Sequence, residues 1–292
     1  MSAQGDAPGG AERGPGAPAL DGAAVRGQGA PSPRAGRIGR LEPAAIAGVM
    51  SRDVTVFTRY WLSTTFSSVM EPVIYLLAFG FGLGVLIPRV AGLSYIEFVG
   101  TGIVATAALF SSVFPGMFST FIKYRYQRTY DALLAAPVDT EELVTAEVTW
   151  ISIRAGVYCM APLVVAVFFG LRPGPGVVLV PLIGFLTGFG FASFGVTIAA
   201  FAKSIDNFNY VISAVITPLF LVAGAFFPVA GLPAVAETIA QVNPLYHSVE
   251  LVRHAVFGLE PVADLISVGV LVAFAVLMWR IAIWRMRARL ID

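Results

Sequence analysis

Six stretches of this chain, at about residues 65 to 87, 98 to 121, 145 to 170, 176 to 200, 208 to 228 and 264 to 284, are almost continuously apolar. Each is close to the roughly 20 residues that an α-helix needs to cross a hydrocarbon core. With 57% hydrophobic residues, no single soluble core could bury them all, so lipid is the solvent for much of the chain. An all-α membrane protein follows, because a helix satisfies its own backbone groups in lipid. A formal net charge of +1 leaves no broad basic face for nucleic acid. The lone Cys159, inside an apolar run, excludes an intramolecular disulfide and a cysteine-only metal site.

The chain divides into three parts by composition. Residues 1–36 are rich in Gly, Ala and Pro, lack the apolar core of a signal peptide, and read as a disordered cytosolic tail. Residues 37–60 read as an amphipathic helix lying in the membrane interface. Ile46, Met50, Val54, Phe57 and Trp61 recur at helical spacing on one face, with Arg52, Thr55 and Arg59 on the other. Residues 61–292 form one six-span domain, whose even span number puts both termini on one side. Arginines cluster before the first span, in the 123–143 connection and after the last span, against only Arg89, Arg172 and Arg253 on the opposite side. By the positive-inside rule both termini are cytoplasmic. Lysine only at 123 and 203 against many arginines, with abundant Ala, Gly and Pro, reads as the codon bias of a high-GC bacterium, and the membrane as its plasma membrane.

The connection YRYQRTYDALLAAPVDTEEL, residues 124–143, is crowded with charge in a chain that is only 13% charged. Tyr126, Tyr130, Leu133 and Leu134 share one face of a short helix, and Arg125, Arg128 and Thr129 share the other, with Asp131 beside them and Pro137 closing it. Asp139 and Glu142, three apart, read as a cap for the next helix. A plain charged loop obeying the positive-inside rule would have a similar composition.

Other features carry less. Glu71 is ionisable and lies inside the first run, which makes it a candidate on the substrate path. Pro218 predicts a kink in the fifth span. Between the fifth and sixth spans, prolines at 228, 233 and 244 break an apolar segment into what reads as two short re-entrant helices. There His247, Glu250 and His254 could share a face, but the spacing is not that of a zinc protease, and no metal is expected. Phe220, Phe226 and Phe227 would suit an amphiphile with an acyl or polycyclic part. The glycines of FGFGLG (79–84) and GFLTGFGFASFG (184–195) lie inside apolar runs and read as helix-packing seams. Neither lysine, at 123 or 203, follows a glycine, so the chain has no phosphate-cradling loop of its own.

EPVIYLLAFGFGLG (71–84), YRYQRTYDALLAAPV (124–138), DNFNYVISAVITPLFLVAGAFFPV (206–229) and NPLYHSVELVR (243–253) together resemble the permease subunits of ABC-2 exporters, of the NodJ and DrrB type. That resemblance implies the type V exporter fold, with an interface helix carrying Arg52, Phe57 and Arg59. It implies a coupling helix in which Arg125, Tyr126, Arg128, Tyr130, Asp131 and Leu133 meet a separate ATPase. It also implies a gate or path including Glu71, Phe220, Phe226, Phe227 and His247. On that likeness the chain is not an enzyme and binds no cofactor, ATP and Mg belonging to the partner ATPase. A second permease copy pairs with it through the first and fifth spans, and the substrate is a lipo-oligosaccharide, glycolipid or other amphiphile. The alternatives are a drug efflux permease of the same family and an ion-coupled transporter acting alone.

Overall fold

A computed structural model describes residues 41–87, 89–230 and 233–291. The expected tail at 1–36 and the first four residues of the expected interface helix lie outside the described residues. Five helices are long and apolar enough to cross a membrane: α1 (Pro43–Gly82), α2 (Tyr95–Arg125), α4 (Thr140–Phe168), α5 (Pro175–Phe201) and α9 (Pro261–Ile291). The short helix α3 (Thr129–Leu134) connects α2 to α4. Three more short helices, α6 (Asn207–Leu221), α7 (Ala234–Val242) and α8 (Pro244–Phe257), occupy the stretch before α9.

α1 differs from the expected pair of elements. It runs unbroken for 40 residues, about 60 Å at 1.5 Å per residue, so the expected boundary near residue 60 is not a break in the helix. That length is roughly twice a hydrocarbon core, and one end must project beyond it. Pro72 is tolerated inside it. After α1 the chain reverses in a hairpin, Arg89–Val90 pairing antiparallel with Leu93–Ser94. Ala91 and Gly92 both take positive φ at its tip, the geometry a tight two-residue turn demands. Ser94 then caps α2, with its backbone N–H and hydroxyl donating to Glu97.

α2 is the central helix: 83% of its apolar window is buried, against 17% for α1 and α9. Small residues make this burial possible. Gly116 of α2 faces Ala192 and Gly195 of α5 so closely that a Cβ would sit 2.7 Å from the Ala192 carbonyl oxygen. Gly184 and Gly188 do the same for α5 against α4, so the 184–195 glycines form a packing seam as expected. In the first glycine segment only part behaves this way, since Gly80 meets Ile96 while nothing lies near Gly82.

The fifth expected span, 208–228, is shorter than the sequence suggested. α6 ends at Leu221, giving 15 residues and about 22 Å, less than a hydrocarbon core. The Asn243 side-chain amide donates to the Leu219 carbonyl, ending the helix there, while its oxygen accepts from the Leu245 N–H and starts α8. Residues 222–230 then turn through Gly224 at φ +75, bringing the backbone of Ala225 against Gly102 of α2. The expected irregularity at Pro218 is a π turn at Ile212–Ile216, and the Thr217 hydroxyl donates to the Ile212 carbonyl. The two short helices expected beyond it are present as α7 and α8, divided at Pro244.

Candidate functional site

The connection between α2 and α4 is more sharply bent than a single helix. Arg128 sits in the left-handed region (φ 51), separating α2 from α3. The expected shared face therefore splits: Tyr130 is 1% exposed and Leu133 half-buried, but Tyr126, on the other side of the bend, is 65% exposed. Arg125, Arg128 and Asp131 are exposed as expected, and Arg128 lies 3.4 Å from Asp131. An ion pair that open to solvent adds little stability. Asp139 and Glu142 cap α4, the Asp139 N–H donating to Glu142 Oε2. The other Glu142 oxygen accepts from the N–H of Glu42 and ties the start of α1 to the start of α4.

Tyr130 is held in a cluster with Val49 of α1, Leu143 and Val144 of α4, and Met286 of α9. Burial, with the nearby Glu147 carboxylate, pushes its phenol well above the usual tyrosine range, so it stays neutral. Beside it lies a group of charges that no local sequence pattern announces as a group. Lys123 Nζ donates to Asp53 Oδ1 at 3.2 Å and to Glu147 Oε1 at 2.8 Å, joining α2, α1 and α4. Asp53 and Glu147 are 4% and 3% exposed. Arg52 adds a contact to Asp53 at 3.2 Å.

This network corrects the expected stripe on α1. The face turned inward carries Ile46, Val49, Met50, Asp53 and Phe57, whereas Val54 and Trp61 are exposed. Asp53 can be buried because Lys123 neutralises it; a hydrophobicity pattern cannot see that compensation. Lys123 likewise belongs to the bundle rather than to the exposed loop. The signal for its partner was local: Glu147, Trp150 and Arg154 recur at helical spacing within an apolar run. Phe57 packs edge-on against Trp150, and Arg59 is exposed.

Between α1 and α2 lies a cavity of about 260 Å³, lined by Glu71, Ser67, Ser68 and Ser111 on its polar part and by Phe110, Phe114 and Phe118 on its apolar part. Glu71 is exposed. The rings of Tyr126, Phe121, Phe208, Phe118, Phe114, Phe110, Phe220, Phe226, Phe79 and Tyr75 form a continuous series, successive centroids 4.7–6.3 Å apart. Glu71, Phe220 and Phe226 thus gather along one groove and its aromatic wall. Phe227 is exposed outside the series, and His247 lies elsewhere.

His247 Nε2 is 2.8 Å from the Gln241 carbonyl, which can only accept, so that nitrogen carries a proton; Nδ1 is 3.1 Å from the Ser267 hydroxyl. His254 points to different partners, donating through Nδ1 to Asp264 at 2.7 Å. Glu250 pairs with Arg253, which also donates to the Gly224 carbonyl and lies 4.1 Å from the Phe98 ring centroid. The histidines therefore serve separate contacts between α8 and its neighbours.

The family model for ABC-2 type transporters matches residues 45–257. The chain belongs to the ABC-2 type transporter family. Nodulation protein J of Rhizobium meliloti (strain 1021) is 32% identical over 244 residues, covering 84% of this chain and 93% of that protein. Nodulation protein J of Neorhizobium galegae is 31% identical over 261 residues, covering 87% and 99%. The inner membrane transport permease YadH of Escherichia coli (strain K12) is 26% identical over 237 residues, covering 81% and 92%. The chain is thus a multi-pass ABC-2 transport permease, and α2 with its bend, the charge network and the aromatic groove all fall within the matched region.

Proposed function

We propose that this ABC-2 permease is the transmembrane subunit of an ATP-driven exporter that moves an amphiphile, such as a lipo-oligosaccharide or glycolipid, outward across a bacterial inner membrane. The observation that carries the reading is the construction of α3. With the bend before it, it offers Arg125, Tyr126, Arg128 and Asp131 to the outside, while Tyr130 of α3 roots it beside the charge network joining α1, α2 and α4. Such an element is suited to receive a separate ATPase and pass its movement to three helices at once. ATP binding would then shift two paired permeases between inward- and outward-favouring states by differential affinity. The groove of hydroxyls, Glu71 and phenylalanines supports a substrate with polar and apolar parts. In this reading α6 is the fifth of six crossings, completed by residues 222–230, α7 and α8 dip into the outer leaflet, and both termini are cytoplasmic.

The test is export into or out of vesicles holding the permease with its ATPase, with and without ATP. Arg128→Glu is expected to lower recovery of the ATPase in a salt-sensitive manner while the permease still folds. Leu133→Ala is expected to keep recovery but uncouple hydrolysis from export. Wild-type recovery and export in the Arg128→Glu, Leu133→Ala double variant would defeat the coupling role. Transport that persists without ATPase and collapses with the ion gradient would identify a secondary transporter instead.

A further inference from the structure

A second cavity, of about 370 Å³, adjoins the groove and shares Pro115 and Ser119 with it. Its walls come from α1, α2, α4 and the bend after α2, and the residues that set its chemistry are Arg52, Phe57, Tyr60, Gln127, Trp150 and Arg154. The Lys123 network forms its floor: three cations, Arg52, Lys123 and Arg154, face two carboxylates, Asp53 and Glu147. Lys123 is consumed by both carboxylates and Arg52 shares Asp53, so the surplus positive charge rests on Arg154.

Arg154 is an unusual place to leave a charge. It lies 14 residues into α4, about 21 Å from Thr140, in a helix apolar enough to span. Among the described residues it forms no ion pair, and its Nε is buried without a hydrogen-bond partner. Its contacts are the rings of Phe57 and Tyr158, at 5.2 and 5.4 Å from the guanidinium carbon. An intramembrane cation of this kind is retained where it meets an anion or water. Trp150 and the exposed Tyr60 are amphipathic rings of the type that settles at headgroup depth.

We infer that this cavity is a binding site for a phosphate group, held by Arg154 and Arg52, with an anionic phospholipid of the surrounding bilayer as its occupant. Guanidinium groups match phosphate oxygens in pairs, and basic pockets between membrane helices hold lipid headgroups in this way. A phosphodiester of single negative charge balances the surplus of one, and its acyl chains can leave past Tyr60 along the exposed outer face of α1. The site requires neither transport nor an ATPase, so it stands or falls separately from the exporter reading.

The experiment uses the full chain in detergent micelles, with melting followed as lipid is added. Phosphatidylglycerol is expected to raise the melting temperature of the wild type and of Arg59→Gln, whose arginine is outside the cavity. In Arg154→Gln and Arg52→Gln its apparent affinity should fall roughly tenfold or more. Zwitterionic phosphatidylcholine should give much less stabilisation in every form. Inorganic phosphate that reproduces the rise in phosphatidylcholine micelles, and loses it in Arg154→Gln, would keep the site and make free phosphate the occupant. An undiminished phosphatidylglycerol response in both arginine variants overturns the site. Should Arg154→Gln fail to fold, Arg52→Gln, at a residue 36% exposed by its side chain, decides the question alone.

Discussion

The two ends of the bundle use polar contacts of different kinds. At the end carrying α3, one lysine is shared by carboxylates from two other helices, and those carboxylates are almost wholly buried. At the end carrying α8, Glu250, Arg253, His254 and Asp264 pair while 14–24% of each side chain is exposed. In the first network the two carboxylates depend on cations that water cannot replace; in the second, solvent reaches both partners and can take over when a contact opens. The first is suited to transmit force among helices, the second to part and re-form.

The largest effect separating the two ends is expected from Lys123→Met. It leaves two buried carboxylates facing each other and should cost about 3–5 kcal/mol, seen as loss of monodisperse permease after extraction. Neutralising the partners as well, with Asp53→Asn and Glu147→Gln, should recover much of that loss, and no recovery would mean that Lys123 acts by packing alone. At the other end, His254→Ala should cost only about 1–2 kcal/mol by thermal melting, because its partners remain in reach of water. An equal cost at both ends would erase the distinction. The smallest effect on stability is expected from Arg128→Gly. Glycine accepts the positive φ, so melting should change by no more than about 1 kcal/mol in either direction, while recovery of the ATPase drops.

What could be read from the sequence was what the chain decides locally. Five of the six long apolar runs as helices of spanning length, the Asp139–Glu142 cap, the break at Pro244 and the glycine seam of α5 each depend on residues a few positions apart, and these are present. The Lys123 network was hidden because its members are 24 and 70 residues apart in the chain, and Asp53 alone resembles a solvated charge on an amphipathic helix. The face of Tyr126 was misjudged for a related reason: one left-handed residue, Arg128, reset the helical phase between it and Tyr130. The length of α6 was set by Asn243, which lies beyond the run it terminates. Of the residues expected on a path, Glu71, Phe220 and Phe226 were picked by type, but the neighbours that gather them along one groove, Phe110, Phe114 and Phe118, come from α2 and needed the fold.

The π turn at Pro115–Ser119 lies where the two cavities meet and begins at a proline that cannot donate to the carbonyl four residues back. Each residue advances an α-helix by about 100°, so the widened turn acts as a phase shifter between the upper and lower halves of α2. Above it, Phe110 and Phe114 face the groove; below it, Lys123 faces its carboxylates. Inserting a single residue between Ser119 and Lys123 would swing one half against the other by about a quarter turn. The aromatic wall and the lysine clamp could then no longer be satisfied together, which makes the length of this helix, and not only its composition, part of what the sequence encodes.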